Sequence, residues 1–176
     1  MTATTTPENT DNKLTIRAAA RDDCGLILEF INELAEYEKL AHLVSATETR
    51  LADSLFGHRP AAEVVIAEWQ GEPAGFALFF GNYSTFLGRP GIYLEDLFVR
   101  PAFRGVGIGK ALLSYLAALV VDRQGGRLEW WVLDWNKPSI DFYHRLGARS
   151  MSEWLPMRLE GDELTKVATK DTSANN

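Results

Sequence analysis

Ile92-Tyr93-Leu94-Glu95-Asp96-Leu97-Phe98-Val99-Arg100-Pro101-Ala102-Phe103-Arg104-Gly105-Val106-Gly107-Ile108-Gly109-Lys110 runs from a β-rich segment into three alternate glycines. Behind it, Leu112, Leu113, Tyr115, Leu116, Leu119 and Val120 recur at the spacing of one helical face. The glycines therefore stand at a strand-to-helix junction. Such a junction sets the unpaired N–H groups of a helix N-terminus at the end of a strand, where the helix dipole favours an anion.

Three glycine-loop chemistries make different demands here. A loop for magnesium nucleotides would have glycine at 104 and Ser or Thr at 111, but Arg104 and Ala111 stand there. A dinucleotide fingerprint begun at Gly105 or Gly107 would need a further glycine at 110 or 112, and these are Lys110 and Leu112. The third reading needs only glycine at alternate positions, so that successive N–H groups turn inward as an anion nest. Gly105, Gly107 and Gly109 supply it, and a pyrophosphate fits such a nest. Arg104 is then expected to help position the anion and Lys110 to reach a phosphate.

Working outward, Leu14-Thr15-Ile16-Arg17 predicts a first strand. Asp22 and Asp23 open a helix carrying Leu26, Ile27, Phe30, Ile31 and Leu34. Ser45-Ala46-Thr47-Glu48 reads as a capping box for a short helix to about Phe56. Val64–Ala67 and Ala74–Phe80 read as a hairpin joined by Gln70-Gly71-Glu72-Pro73. Leu128–Leu133 predicts another strand. A helix follows with Asn136 at its cap, Pro138 in its first turn and Gly147 at its end. A last strand pair over Ser150–Leu159 and a helix from Asp162 complete an α+β layer without internal repeats. One domain is expected over residues 13–169, with polar tails at 1–12 and 170–176.

The 176 residues carry a net charge of −6, which argues against binding nucleic acid by phosphate neutralisation and favours a cationic partner. Cys24 is the only cysteine and lies in an apolar stretch, so it reads as a buried inert thiol with no disulfide partner. His42, His58 and His144 lack metal-ligand spacing, so no metal is expected. The first residues lack the basic start and apolar run of a signal peptide or a membrane span, which together with the thiol count points to the cytoplasm.

Arg104 to Gly109 resembles the Arg/Gln-x-x-Gly-x-Gly/Ala signature of the GCN5-related N-acetyltransferase superfamily. Tyr93–Val99, Trp135–Tyr143 and Tyr37-Glu38 further resemble its diamine branch, the spermidine/spermine and thialysine type. The resemblance covers the chain from about Lys13 to Val167. It implies a mixed, mostly antiparallel central sheet with helices on both faces and two central strands that splay apart. It also implies acetyl-CoA as cofactor, a small-molecule amine as substrate, no membrane, and a homodimer.

The resemblance also implies roles for particular residues. Backbone groups of Leu97 and Val99 would pair with the pantetheine arm of the cofactor, with Phe98 between them, while Gly105, Val106, Gly107, Ile108, Gly109 and Lys110 hold the pyrophosphate. N–H groups near Phe98 or Val99 would meet the oxyanion. Asn136 and Ser139 would contact the cofactor, and Tyr143 would protonate the leaving thiolate. An alkylammonium has a pKa near ~10, so attack needs a proton acceptor. Glu95 is that candidate, and Asp96 is read as a bystander. Tyr37, Glu38, Glu95, Glu129, Trp130, Trp131 and Asp134 can form a pocket for the cation. The stretch Ser152-Glu153-Trp154-Leu155-Pro156-Met157 departs from the paired acids and tryptophan of the polyamine enzymes. That leaves the acceptor open among a diamine, a polyamine and a lysine-like amino acid. Two other readings stand beside this one: a non-catalytic acyl-CoA sensor, and an acetyltransferase acting on protein lysines or N-termini.

Overall fold

The computed structural model describes residues 13–170; the expected tails lie outside them, except that Lys170 closes the last helix. The chain divides after Trp131 into two compact units.

The first unit holds a five-stranded sheet in the order β1-β2-β3-β4-β5: β1 Leu14–Ala18, β2 Glu63–Trp69, β3 Glu72–Ser84, β4 Arg89–Val99 and β5 Leu128–Trp130. Strands β1 to β4 pair antiparallel, and β5 runs parallel to β4. The β2–β3 turn has Gln70 and Gly71 both at positive φ, 55° and 84°, the two-residue form whose twist matches its strands.

Helix α1, Cys24–Tyr37, and α2, Glu48–Phe56, cover one face. Ile27 and Phe30 of α1 and Leu51 and Leu55 of α2 bury against Val64, Ile66, Phe76 and Phe98. Phe30 stacks on Phe76 at 5.2 Å and meets Phe98 edge-on at 6.5 Å. Each fully buried phenylalanine contributes about 1.5–3 kcal/mol, so this aromatic trio fixes α1 on the sheet. Cys24 belongs to the same core, and desolvation pushes its thiol pKa up, which suits an inert side chain. Helix α3, Ile108–Asp122, packs on β3, β4 and β5, with Ile108, Leu112, Leu113, Leu116 and Val120 buried. Gly75 is needed where β3 approaches β4, since a Cβ there would sit 2.4 Å from the Phe98 carbonyl oxygen.

The second unit carries α4, Lys137–Arg145, and α5, Gly161–Lys170. Asn136 caps α4 through its side-chain oxygen, which accepts from Ser139 N–H at 3.4 Å. At the other end Gly147, φ 91°, sends its N–H to His144, and Ala148 N–H reaches Tyr143, a Schellman ending.

Three sequence expectations need correction. The α2 cap is Thr47, not Ser45: the Thr47 hydroxyl accepts from Arg50 N–H at 3.3 Å, and Glu48 becomes the first helical residue. Thr47 holds the extended backbone a cap requires, while the Ser45 carbonyl takes the Arg50 guanidinium at 2.9 Å. Strand β5 stops at Trp130 instead of Leu133, because its partner β4 is bent by a bulge just past the last paired residue, Leu94. Ser150–Leu159 forms no strand among the described residues. A strand pair outside a larger sheet gains too little to hold its backbone, and Trp154, Leu155, Met157 and Leu159 stand exposed.

Candidate functional site

The glycine loop begins after a short 3-10 turn, Pro101–Phe103. Gly105 and Gly107 take positive φ, 82° and 97°, which side-chain-bearing residues resist, and Gly107 is the N-cap of α3. Gly109 sits inside the first turn of α3 with ordinary helical φ, so the left-handed positions number two rather than three. The first intrahelical bond runs from Ala111 N–H to the Gly107 carbonyl at 3.0 Å. The N–H groups of Ile108, Gly109 and Lys110 precede it and lie at the positive end of a 15-residue helix. A Cβ built on Gly105 or Gly107 meets no atom within 4 Å, so open space fronts the loop. Size, charge preference and space all suit a pyrophosphate.

Strand β4 leads into this loop, and its outer edge is open. It pairs with β5 only at Ile92–Leu94, so Glu95 to Val99 have no strand beside them there among the described residues. Arg100 N–H donates inward to Ala74 at 2.9 Å. By the alternation of an antiparallel ladder, Val99 and Leu97 turn their N–H and C=O groups to the open side. That is the edge an extended amide chain would join.

The β3–β4 register adds a feature that strict alternation hides. Leu78 pairs with Asp96 and Phe79 with Leu94, so Glu95 is the extra residue of a β-bulge. The bulge exchanges the faces of the residues beyond it. Asp96 and Phe98 join Tyr93 on the α1 side, while Leu97 and Val99 join Leu94 on the α3 side. Glu95 is exposed at the bend. Asp96 is partly buried, and desolvation first, then the charges of Glu95 and Glu38, raise its pKa to about 7. Glu38, at the C-cap of α1, is also raised by desolvation. Asp96 is thus half ionised near neutrality and able to exchange a proton there.

Aromatic rings flank these carboxylates. Tyr93 packs against Phe80 at 5.2 Å and receives Trp131 edge-on at 6.0 Å. Tyr37 lies beneath the Arg104 guanidinium, 4.9 Å from ring centroid to Cζ. Trp130 is partly buried in β5. Glu129 is held elsewhere: its Oε2 accepts from Asn82 Nδ2 at 2.7 Å and is ion-paired with Arg127 at 2.8 Å, so neighbouring groups already engage it. Asp134 lies in the second unit and is exposed.

In the second unit Asn136 is buried at the α4 cap, and Ser139 is in the first turn. Tyr143 lies in the last turn, tilted against Phe142 with ring centroids 5.3 Å apart. Sequence reasoning missed the bulge, Tyr93 and the engagement of Glu129. One signal was available: Asp96 falls among the buried alternate positions Ile92, Leu94 and Phe98, an unusual place for a carboxylate.

Comparison with known proteins bears on this arrangement. Residues 27–148 match the model of the acetyltransferase (GNAT) family. The thialysine N-epsilon-acetyltransferase of Sus scrofa is 41% identical, with 88% of this chain and 97% of the relative covered. The L-ornithine N5-acetyltransferase NATA1 of Arabidopsis thaliana is 34% identical, with 86% of each covered. Among solved structures, an integron cassette protein from the mobile metagenome of V. cholerae superposes with a TM-score of 0.75 at 28% identity, over 89% of this chain and 98% of that one.

Proposed function

Since the chain belongs to the acetyltransferase (GNAT) family, we propose that it moves an acetyl group from acetyl-CoA to a small primary amine by direct attack. One observation carries the reading. An unbroken run from Glu95 to Lys110 joins a carboxylate pair, an open strand edge and a helix N-terminus fronted by open space. These three parts match in order an amine, an amide-bearing arm and a pyrophosphate. The family match also runs across the division after Trp131, which supports treating residues 13–169 as one acetyltransferase domain.

Bound acetyl-CoA would supply the activated acetyl thioester. The N–H groups of Ile108, Gly109 and Lys110 bind its pyrophosphate, with Gly105, Val106 and Gly107 shaping the approach and Asn136 and Ser139 adding contacts. Leu97 would pair with the arm through its N–H and C=O and Val99 through its N–H alone, its carbonyl being held by Arg104, which leaves the Phe98 side chain to the core. Glu95, with Asp96 beside it, would take the proton from the incoming ammonium. Of the two expected oxyanion donors the Val99 N–H is the one on the open edge, since Phe98 turns its N–H toward β3. Tyr143 would supply a proton to the coenzyme A sulfur as it leaves. Tyr37, Glu38, Trp130 and Trp131 favour a cation, and Glu129 contributes by ordering Asn82 and Arg127.

The relatives named for thialysine and ornithine support an amino acid with a terminal primary amine over a polyamine. The exposed apolar run Trp154, Leu155, Met157 and Leu159 supports a homodimer that covers it. The buried, unpaired thiol of Cys24 is in keeping with the cytoplasm. The roles are tested by Tyr143→Phe and Glu95→Gln. Each is expected to lower kcat at least tenfold while coenzyme A affinity, measured by calorimetry, stays within about twofold. Unchanged kcat in both variants would remove these residues from the chemistry.

A further inference from the structure

Arg104 opens the glycine run, yet its side chain is engaged away from the helix amides beyond it. Its Nε donates to the Val99 carbonyl at 2.9 Å, and its Cζ lies 4.9 Å from the Tyr37 ring centroid and 5.7 Å from that of Phe98. Arg104, Tyr37 and Phe98, with Glu33, Glu36 and Pro101, line an open cavity of about 290 Å³. Three parts of the fold therefore meet on one guanidinium: the last residue of α1, the last residue of β4 and the first residue of the loop.

We propose that Arg104 and Tyr37 form a brace that fixes where the glycine loop begins, which makes Tyr37 a positioning residue for coenzyme A. The proposal rests on the acetyl-CoA reading above and changes the role of Arg104 from phosphate ligand to loop support. The physical need is plain. Gly105 and Gly107 are conformationally permissive, and nothing lies within 4 Å of where their Cβ atoms would be. A loop built on two such residues keeps its amides aimed only if its base is held. The 3-10 turn before it supplies two backbone bonds, Phe103 N–H to Arg100 and Arg104 N–H to Pro101, the second long at 3.3 Å. The side chain of Arg104 adds a hydrogen bond to β4 and stacking on α1.

Only arginine can do both at once, because its Nε–H donates in the plane while the flat face stacks. Lysine keeps the charge but lacks the planar fork that does both. A phosphate ligand at this position would accept lysine in large part; a brace would not. The test is calorimetric titration of coenzyme A into wild type, R104K, R104A, Y37F and Y37L at two salt concentrations.

The brace expects R104K to weaken binding nearly as much as R104A. It expects Y37L to weaken binding about two- to fivefold, the scale of an exposed cation–π contact, and Y37F, which keeps the ring, to stay within about twofold of wild type. The salt dependence should be the same in R104A as in wild type, since no phosphate contact is lost. Recovery of wild-type affinity by R104K, or unchanged affinity in Y37L, overturns the brace while leaving the acetyl-CoA reading intact. A folded wild-type protein that binds no coenzyme A overturns both.

Discussion

Replacing Asp96 with asparagine removes one titrating group from the α1 side of β4 while keeping its shape, and the effect on stability comes from its surroundings. The carboxyl has a pKa of about 7 in the folded chain against 3.8 for a free side chain, chiefly because it is desolvated. Between those values the folded state keeps a proton that the unfolded chain has released. The folded state then binds more protons, so stability falls as pH rises through this window and levels off above about 7. Full development of the shift corresponds to about 4 kcal/mol, and the part that develops between about pH 5 and pH 8 is about 2.5 kcal/mol. Urea denaturation of wild type and D96N at several pH values across that range reads it directly. Wild type is expected to lose about 2.5 kcal/mol more than D96N on going from about pH 5 to pH 8, with D96N the more stable at the alkaline end. Parallel profiles for the two proteins would refute a desolvated Asp96.

Two further perturbations address the loop and the α2 cap. Gly107→Ala forces an alanine to φ 97°, a loss of about 1–2 kcal/mol in urea denaturation, and its Cβ enters the space before the helix amides. Coenzyme A affinity should therefore drop by more than the stability change alone implies; equal affinity would show that the loop does not approach the cofactor. Thr47→Ala should remove about 1 kcal/mol through loss of the α2 cap, whereas Ser45→Ala should stay within about 0.5 kcal/mol, and the reverse order would restore Ser45 as the cap.

The parts of this fold that could be read from sequence are those decided within a few neighbouring residues. Glycines at 105 and 107 between a β-rich run and a helical stripe announce a left-handed turn at a helix start. Gln70-Gly71 gives its hairpin for the same local reason. Asn136, Pro138 and Gly147 bound α4 because caps depend on one or two side chains. What stayed hidden depends on partners distant in sequence. The bulge at Glu95 exists only as a mismatch between β3 and β4, so the face that Asp96 occupies could not be read from a strict period of two. The direction of Arg104 was invisible because its partners are Val99 and Tyr37, on two other elements. Ser45 and Thr47 carry equivalent cap chemistry, and backbone conformation chose between them. Ser150–Leu159 alternates like a strand but has no neighbouring strand among the described residues.

The central claim is acetyl transfer to a small amine. Release of free thiol from acetyl-CoA should be followed with purified protein and a panel of ornithine, lysine, thialysine, spermidine and a lysine-containing peptide. Thiol release that requires an amine, and is faster with the free amino acids than with spermidine or the peptide, is the expected result. Folded protein that binds coenzyme A yet releases no thiol with any amine would contradict it.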